Sequence, residues 1–440
     1  MVKHVFHVWS FVYLIFGQTS GILFSIYIGV KKMISRWLEP HIVESLSFRR
    51  VVHITGARQT GKTTLAASLP FPNAKRYTMD NDRIRETAKA DAIEFTRRRD
   101  GETMILDEVQ KAPELLNAVK IHVDESNERG QYLLTGSASL DFSHAVSDSL
   151  AGRMHTARLR TLSLGEIAGT KPRFLTNAFC REFKASANVL NKRDVMHMAF
   201  IGGYPETLDF SGRARRQWCK DYIRTLITRD IKEVTEIRKV AILGEITRWL
   251  LARSSKLFAV EEACAGIGVT KPTMDNYIEA LCALYVFDRI PAWNKTDYDR
   301  IGKKPKYFAC DPALMANCLD WKEDAAYLDS DLSGKLVETW VYHELSVLAD
   351  TEDGDYEIFH YRDKLKREID FIVTDESGAI LGIEVKSGGM VGANDFRHLK
   401  WFAANLAKEH SFTGIVLYAG PDVLRFGEGF YAVPLAALGA

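Results

Sequence analysis

Gly56-Ala57-Arg58-Gln59-Thr60-Gly61-Lys62-Thr63 stands directly after the apolar run Val51-Val52-His53-Ile54 and directly before Thr64-Leu65-Ala66-Ala67. Two glycines allow a tight turn in which successive backbone N–H groups face one anion, and a helix start behind the turn adds the positive end of its dipole. With a strand before it and a helix after it, the stretch reads as a phosphate cradle running from Gly56 to Thr64. Gly56, Ala57, Arg58, Gln59, Thr60, Gly61, Lys62, Thr63 and Thr64 are all expected to line it. Lys62 would reach the β- and γ-phosphates of a nucleoside triphosphate, and the Thr63 hydroxyl would ligate Mg²⁺. The expected fold is therefore an α/β P-loop NTPase with a parallel sheet.

A metal partner belongs at the tip of another buried strand, and Thr103-Met104-Ile105-Leu106-Asp107-Glu108 is an apolar run that ends in two carboxylates. Asp107 would hold Mg²⁺, while Glu108 would orient and deprotonate an attacking water. A third run, Gln131-Tyr132-Leu133-Leu134-Thr135-Gly136-Ser137, ends in small polar groups. Such a tip suits a sensor of the γ-phosphate or of the water, with Ser137 favoured over Thr135, although Thr-Gly-Ser also makes an ordinary turn.

These residues carry a resemblance. The stretch from Ile54 to Leu65, the Leu-Asp-Glu-Val-Gln block at 106 to 110 and Leu134-Thr135-Gly136-Ser137 resemble the prokaryotic AAA+ ATP-binding proteins of the AAA_14 type. Gly202-Gly203-Tyr204-Pro205, the segment from Tyr222 to Asp230, Lys304-Pro305-Lys306-Tyr307-Phe308 and the late Glu-Val-Lys extend the likeness over residues 33–420. The resemblance implies ATP as ligand. It also implies a helical and winged-helix-like region after the ATPase module, and then a domain similar to PD-(D/E)XK nucleases.

Composition agrees with several soluble domains, since 440 residues exceed what one core usually organises. A net charge of +1 excludes a surface that is cationic throughout, so any nucleic-acid contact must come from local patches. Arg97-Arg98-Arg99, Arg213 to Arg216, Lys303-Lys304-Lys306 and Lys364-Lys366-Arg367 are such patches, and each also reads as a solvated face. Six cysteines in no metal-type spacing fit reduced thiols and a cytoplasmic protein. Residues 5 to 30 carry no Asp, Glu, Lys or Arg and are long enough for a bilayer. Either residues 1–32 are an extension or upstream translation ahead of a start at Met33, or they anchor the chain in the inner membrane.

The expected organisation is an ATPase domain at 33–165, a helical linker or lid at 166–240, a winged-helix-like domain at 241–320 and a nuclease-like α/β domain at 330–440. Arg153, which follows Gly152, is a candidate arginine finger toward its own or a neighbour's γ-phosphate, or simply closes a turn. Arg229-Asp230 makes an ion pair within or between subunits. Thr270-Lys271-Pro272-Thr273 starts a helix whose Lys271, Thr273 and Asn276 could touch DNA, with Lys303 and Lys304 on a wing. At the far end, Glu384 and Lys386 lie two apart and so project from one face of a strand, as do Glu368 and Asp370. Paired carboxylates with a neighbouring lysine are a hard-oxygen Mg²⁺ site that can cut phosphodiesters. The resemblance supports Asp370 and Glu384 as metal ligands, Lys386 as catalytic lysine and Glu338 as accessory acid, although Arg367-Glu368-Ile369-Asp370 stands where many nucleases show Pro-Asp.

Two functions remain open on this reading. ATP turnover gates a nuclease acting on nucleic acid, or the chain is an ATP-switched scaffold that binds DNA or a protein partner without cutting. A homo-oligomer suits both.

Overall fold

The structure is a computed structural model that describes residues 33–137, 150, 152–184, 189–231, 240–296 and 303–440. The apolar segment at 5 to 30 lies outside these. Among the described residues no helix is long and apolar enough to cross a membrane.

Five short strands, β1 (Val51–Thr55), β2 (Lys75–Thr78), β3 (Met104–Asp107), β4 (Tyr132–Gly136) and β5 (Met154–Arg158), form one sheet in the order β2-β3-β4-β1-β5. Each adjacent pair is parallel. Continuous apolar runs suit strands covered on both faces. One face packs Leu115, Leu116 and Val119 of the helix Glu114–Glu125, and the other packs Ile42 and Leu46 of the helix Glu39–Phe48 with Leu65 behind the phosphate loop. Parallel pairing aligns every strand's carboxyl end, so the tips of β1, β3 and β4 meet at one edge.

The described residues between 192 and 318 are mainly helical. The helices Val240–Leu251, Val260–Ile267 and Lys271–Ala283 precede the antiparallel pair β6 (Phe287–Ile290) and β7 (Lys306–Ala309). The last of these helices begins as its sequence suggests, with Thr270 as N-cap accepting from the Thr273 amide and Pro272 in the first turn.

A second sheet holds β8 (Glu357–Arg362), β9 (Glu368–Thr374), β10 (Ile380–Lys386), β11 (Phe412–Tyr418), β12 (Leu424–Arg425) and β13 (Phe430–Pro434), in the order β12-β13-β11-β10-β9-β8. The long helix Ser330–Thr351 covers one face and Arg397–Asn405 the other. The β9–β10 ladder ends at Ile383 opposite Phe371, whereas β10 stays paired with β11 through Lys386. Beyond Phe371 the two strands separate, and the Val385 amide donates to Asp370 Oδ2 at 2.9 Å in place of a ladder bond.

The two halves are bound by charge. Arg158 and Arg160, on and just after β5, pair with Asp288 of β6 at 2.7 and 2.6 Å, and Tyr342 of the long helix donates to the same carboxylate at 2.6 Å. Burial opposes ionisation of Asp288, but the two guanidinium groups prevail and hold its pKa far below the usual carboxylate range.

Candidate nucleotide site and a lysine-filled acid pocket

The phosphate loop is over-determined by its surroundings. A Cβ on Gly56 would lie 2.2 Å from the Leu159 carbonyl, and φ of +141° there is open only to glycine. Thr60 Oγ1 donates to the Ala57 carbonyl, while Arg36 donates to the Thr60 carbonyl at 2.7 Å and pairs with buried Glu166. Sequence reading missed Arg36 and Glu166, which lie 130 residues apart and have no local signal.

Lys62 is buried, and its Nζ donates to the Gly56 and Ala57 carbonyls at 2.8 Å each. Burial lowers its pKa to about 8, against the pull of Glu108 and Asp107, so the ammonium persists at neutral pH. His53, one turn of strand below, is pushed to about 3 by burial and then by Lys62, and is neutral.

Thr63 Oγ1 donates to Asp107 Oδ1 at 2.9 Å, bringing a hydroxyl and a carboxylate from two elements to one point. Both are hard-oxygen donors, and the pair fits Mg²⁺ chemistry. Thr64 is exposed in the same helical turn. Thr135, fully buried, donates to Asp107 Oδ1 at 2.5 Å and accepts from the Glu108 amide. Ser137 donates to Glu108 Oε2 at 3.2 Å and accepts from Gln110. Thr135 thus holds Asp107, and Ser137 reaches Glu108. Glu108 itself has φ of +55°, a strained conformation for a non-glycine residue that aims its side chain off the strand tip.

Arg58 pairs with Asp230, Nε to Oδ2 at 2.9 Å. Asp230 thus has a cationic partner within the same chain. Arg153, in contrast, lies at the other end of the sheet. Val51 and Thr55 of β1 register with Met154 and Arg158 of β5, so Arg153 sits at the amino ends, roughly 15 Å of strand from the phosphate loop. There it pairs with Asp124. An arginine finger toward its own site is thereby corrected, because parallel register puts residue 153 away from the carboxyl edge.

The C-terminal acids do gather, but around a cation that sequence reading had placed on a solvated patch. Lys306 of β7 is 1% exposed. Its Nζ lies 3.1 Å from Glu338 Oε1, 2.8 Å from Glu368 Oε1 and 4.0 Å from Asp370 Oδ1. Burial disfavours this ammonium, yet Glu338, Asp370 and Glu368 outweigh it and raise the pKa. Asp370 is raised by burial and then by Glu338, and Glu384 by burial and then by Asp370. Lys386 is instead 41% exposed and pairs with Asp395 at 3.3 Å, while Glu384 lies 3.9 Å from His398 Nδ1. Among the described residues no group of three or more His, Cys, Asp or Glu side chains converges as metal ligands. Of the expected Mg²⁺ ligands, Glu338 and Asp370 face an ammonium from another part of the chain, while Glu384 lies beside His398.

Residues 48–168 match the family model described as an AAA domain. This segment is an AAA-type P-loop ATPase domain. Residues 192–325 and 333–438 match two domains of unknown function, DUF8612 and DUF4143. Uncharacterized proteins of Mycobacterium bovis and Mycobacterium tuberculosis are each 26% identical over 340 residues, covering 76% of this chain and 70% of theirs. Solved structures with a likeness to the chain include a Walker-type ATPase of Pyrococcus abyssi (TM-score 0.41, 15% identity, 66% of this chain and 99% of that one). The RuvB Holliday junction branch migration motor of Thermotoga maritima gives a TM-score of 0.24 at 16% identity, over 58% of this chain and 89% of that one.

Proposed function

We propose that the chain is a Mg²⁺-dependent ATPase whose nucleotide state is passed through β5 and β6 to a C-terminal docking platform. The observation that carries the first part is the convergence of Thr63 and Asp107 beside Lys62 and Glu108. In this reading Lys62 and the loop amides hold the β- and γ-phosphates, and Thr63 and Asp107 hold the ion. Mg²⁺ supplies neutralisation of phosphate charge when bound. Glu108 takes a proton from water as the water oxygen bonds to the γ-phosphorus. The bond from phosphorus to the β,γ-bridging oxygen breaks with its electron pair going to ADP, and inorganic phosphate and a proton are released. The adenine preference comes from the family likeness.

A binding role for the C-terminal half is favoured over a nuclease by Lys306, which ties Glu338 and Glu368 of the acid cluster to an ammonium. DNA, through the β6–β7 pair and the helix Lys271–Ala283, and a protein are the candidate partners. Steady-state ATP turnover with and without Mg²⁺ and single- or double-stranded DNA tests the reading, beside Lys62→Ala. Turnover that survives in Lys62→Ala overturns the ATPase assignment. Mg²⁺-dependent cleavage that is lost in Asp370→Ala and Lys386→Ala restores the nuclease.

A further inference from the structure

Residue 58 is the point at which the phosphate loop meets the helical arm that follows the ATPase domain, and it is held there twice. Tyr222 of the helix Gly212–Thr225 donates its hydroxyl to the Arg58 carbonyl at 3.3 Å, and Asp230 takes the guanidinium at 2.9 Å. Between these two contacts the helix changes pitch, because Leu226–Asp230 is a π-helical turn. A π turn inserts one extra residue into the helical register and is concentrated at functional sites. Here it swings Asp230 toward the loop. Asp230 is 2% exposed, but its two oxygens make no well-directed hydrogen bond to the protein, so the pairing with Arg58 is close in distance and poor in angle. The pair therefore lacks the directed hydrogen bonds that fix most buried ion pairs, and an anion that offers Arg58 two of them competes with Asp230.

The better anion is the one the loop is built to hold. Arg58 follows directly on Gly56 and Ala57, whose carbonyls receive Lys62 Nζ. The guanidinium lies within electrostatic reach of that ammonium, and Asp230 lies within reach of Glu108 and Lys111. Arg58 is itself a residue of the phosphate loop, four positions before Lys62, so its pair with Asp230 stands at the rim of the anion space that the loop encloses.

We propose that Arg58 reads the γ-phosphate: a triphosphate takes the guanidinium from Asp230, and the arm carrying residues 226–230 is released from the phosphate loop. The inference rests on the ATPase reading above, and it supplies from within the loop the arginine that Arg153 is too distant to be. A diphosphate, which ends short of this position, leaves Arg58 with Asp230.

Equilibrium binding of ADP and of the slowly hydrolysed analogue ATPγS to the full chain tests it, together with ATP turnover. Wild type should bind ATPγS more tightly than ADP. Arg58→Ala should weaken ATPγS by about tenfold or more beyond any loss for ADP, and lose kcat by about 100-fold. Arg58→Lys should restore little, because a single ammonium cannot make the two-pronged contact. Asp230→Asn removes the competitor and should shift the preference the other way, with ATPγS gaining several-fold and ADP unchanged. A preference that Arg58→Ala keeps, or an equal loss for both nucleotides, overturns the inference while leaving the ATPase reading intact. No binding of either nucleotide by wild type overturns both.

Discussion

Two buried lysines face two sets of acids in this chain, and the difference lies in where each lysine comes from. Lys62 belongs to the loop whose site it serves, rests on that loop's carbonyls, and has a pKa lowered to about 8 by burial. Lys306 comes from β7, crosses into the C-terminal half, and has a pKa raised by three carboxylates. Backbone carbonyls are weak partners that a phosphate displaces. Carboxylates are strong ones, and a buried ammonium among them acts as a fixed counter-ion. One arrangement is poised to bind, and the other is already satisfied.

The largest effect should come from breaking the satisfied one. Lys306→Ala leaves Glu338, Glu368 and Asp370 without their cation and should cost about 3–5 kcal/mol, read as a lower urea midpoint. Lys306→Ala combined with Glu338→Gln should recover part of that loss. An unchanged midpoint in Lys306→Ala would make the acid pocket tolerant of an open centre and revive it as a metal site.

On the binding side, if Glu108 acts on water as proposed, Glu108→Gln should lower ATP turnover by about 100- to 1,000-fold while ADP affinity stays within about threefold. A parallel loss of ADP affinity would show instead that Glu108 holds the loop.

The two lysines also differ in pH response. Nucleotide affinity should fall by up to about tenfold per pH unit above about 8, as Lys62 loses its proton. The acid pocket responds on the acid side. Asp370 is raised to about 7, so between about pH 4 and 7 the folded state holds a proton that the unfolded chain has released, and stability falls as pH rises through that window. Asp370→Asn should flatten this part of the urea-midpoint profile. A profile as steep as wild type would assign the slope to other groups.

The smallest effect is expected at Arg153. Its pairing with Asp124 is partly exposed, and such pairs contribute about 0.2–1 kcal/mol. Arg153→Ala should leave turnover of dilute enzyme within about twofold. A large loss that deepens as protein concentration rises would place Arg153 in a neighbour's site and establish the oligomer.

Local order in the chain was enough for the ATPase half. Strand, glycine turn, lysine and helix occupy consecutive positions, so Gly56 to Thr63, Asp107, Glu108 and Ser137 could be placed from spacing alone, as could the cap at Thr270. Whether an arginine reaches a phosphate could not. Arg153 and Arg58 look alike in sequence, and only parallel register separates one from the phosphate edge while a π turn joins the other to Asp230.

What the amino-acid order determined by itself is the chemistry of each segment: a phosphate loop, acids at a strand tip, and Glu-x-Lys on a later strand. Tertiary structure alone decided which of those charges meet. Lys303, Lys304 and Lys306 read as one basic patch, yet β-pairing turns Lys306 inward to Glu338 and Glu368, 32 and 62 positions further along the chain. The reason is physical. A buried charge must find an opposite charge wherever the fold brings one, and sequence distance does not limit that search.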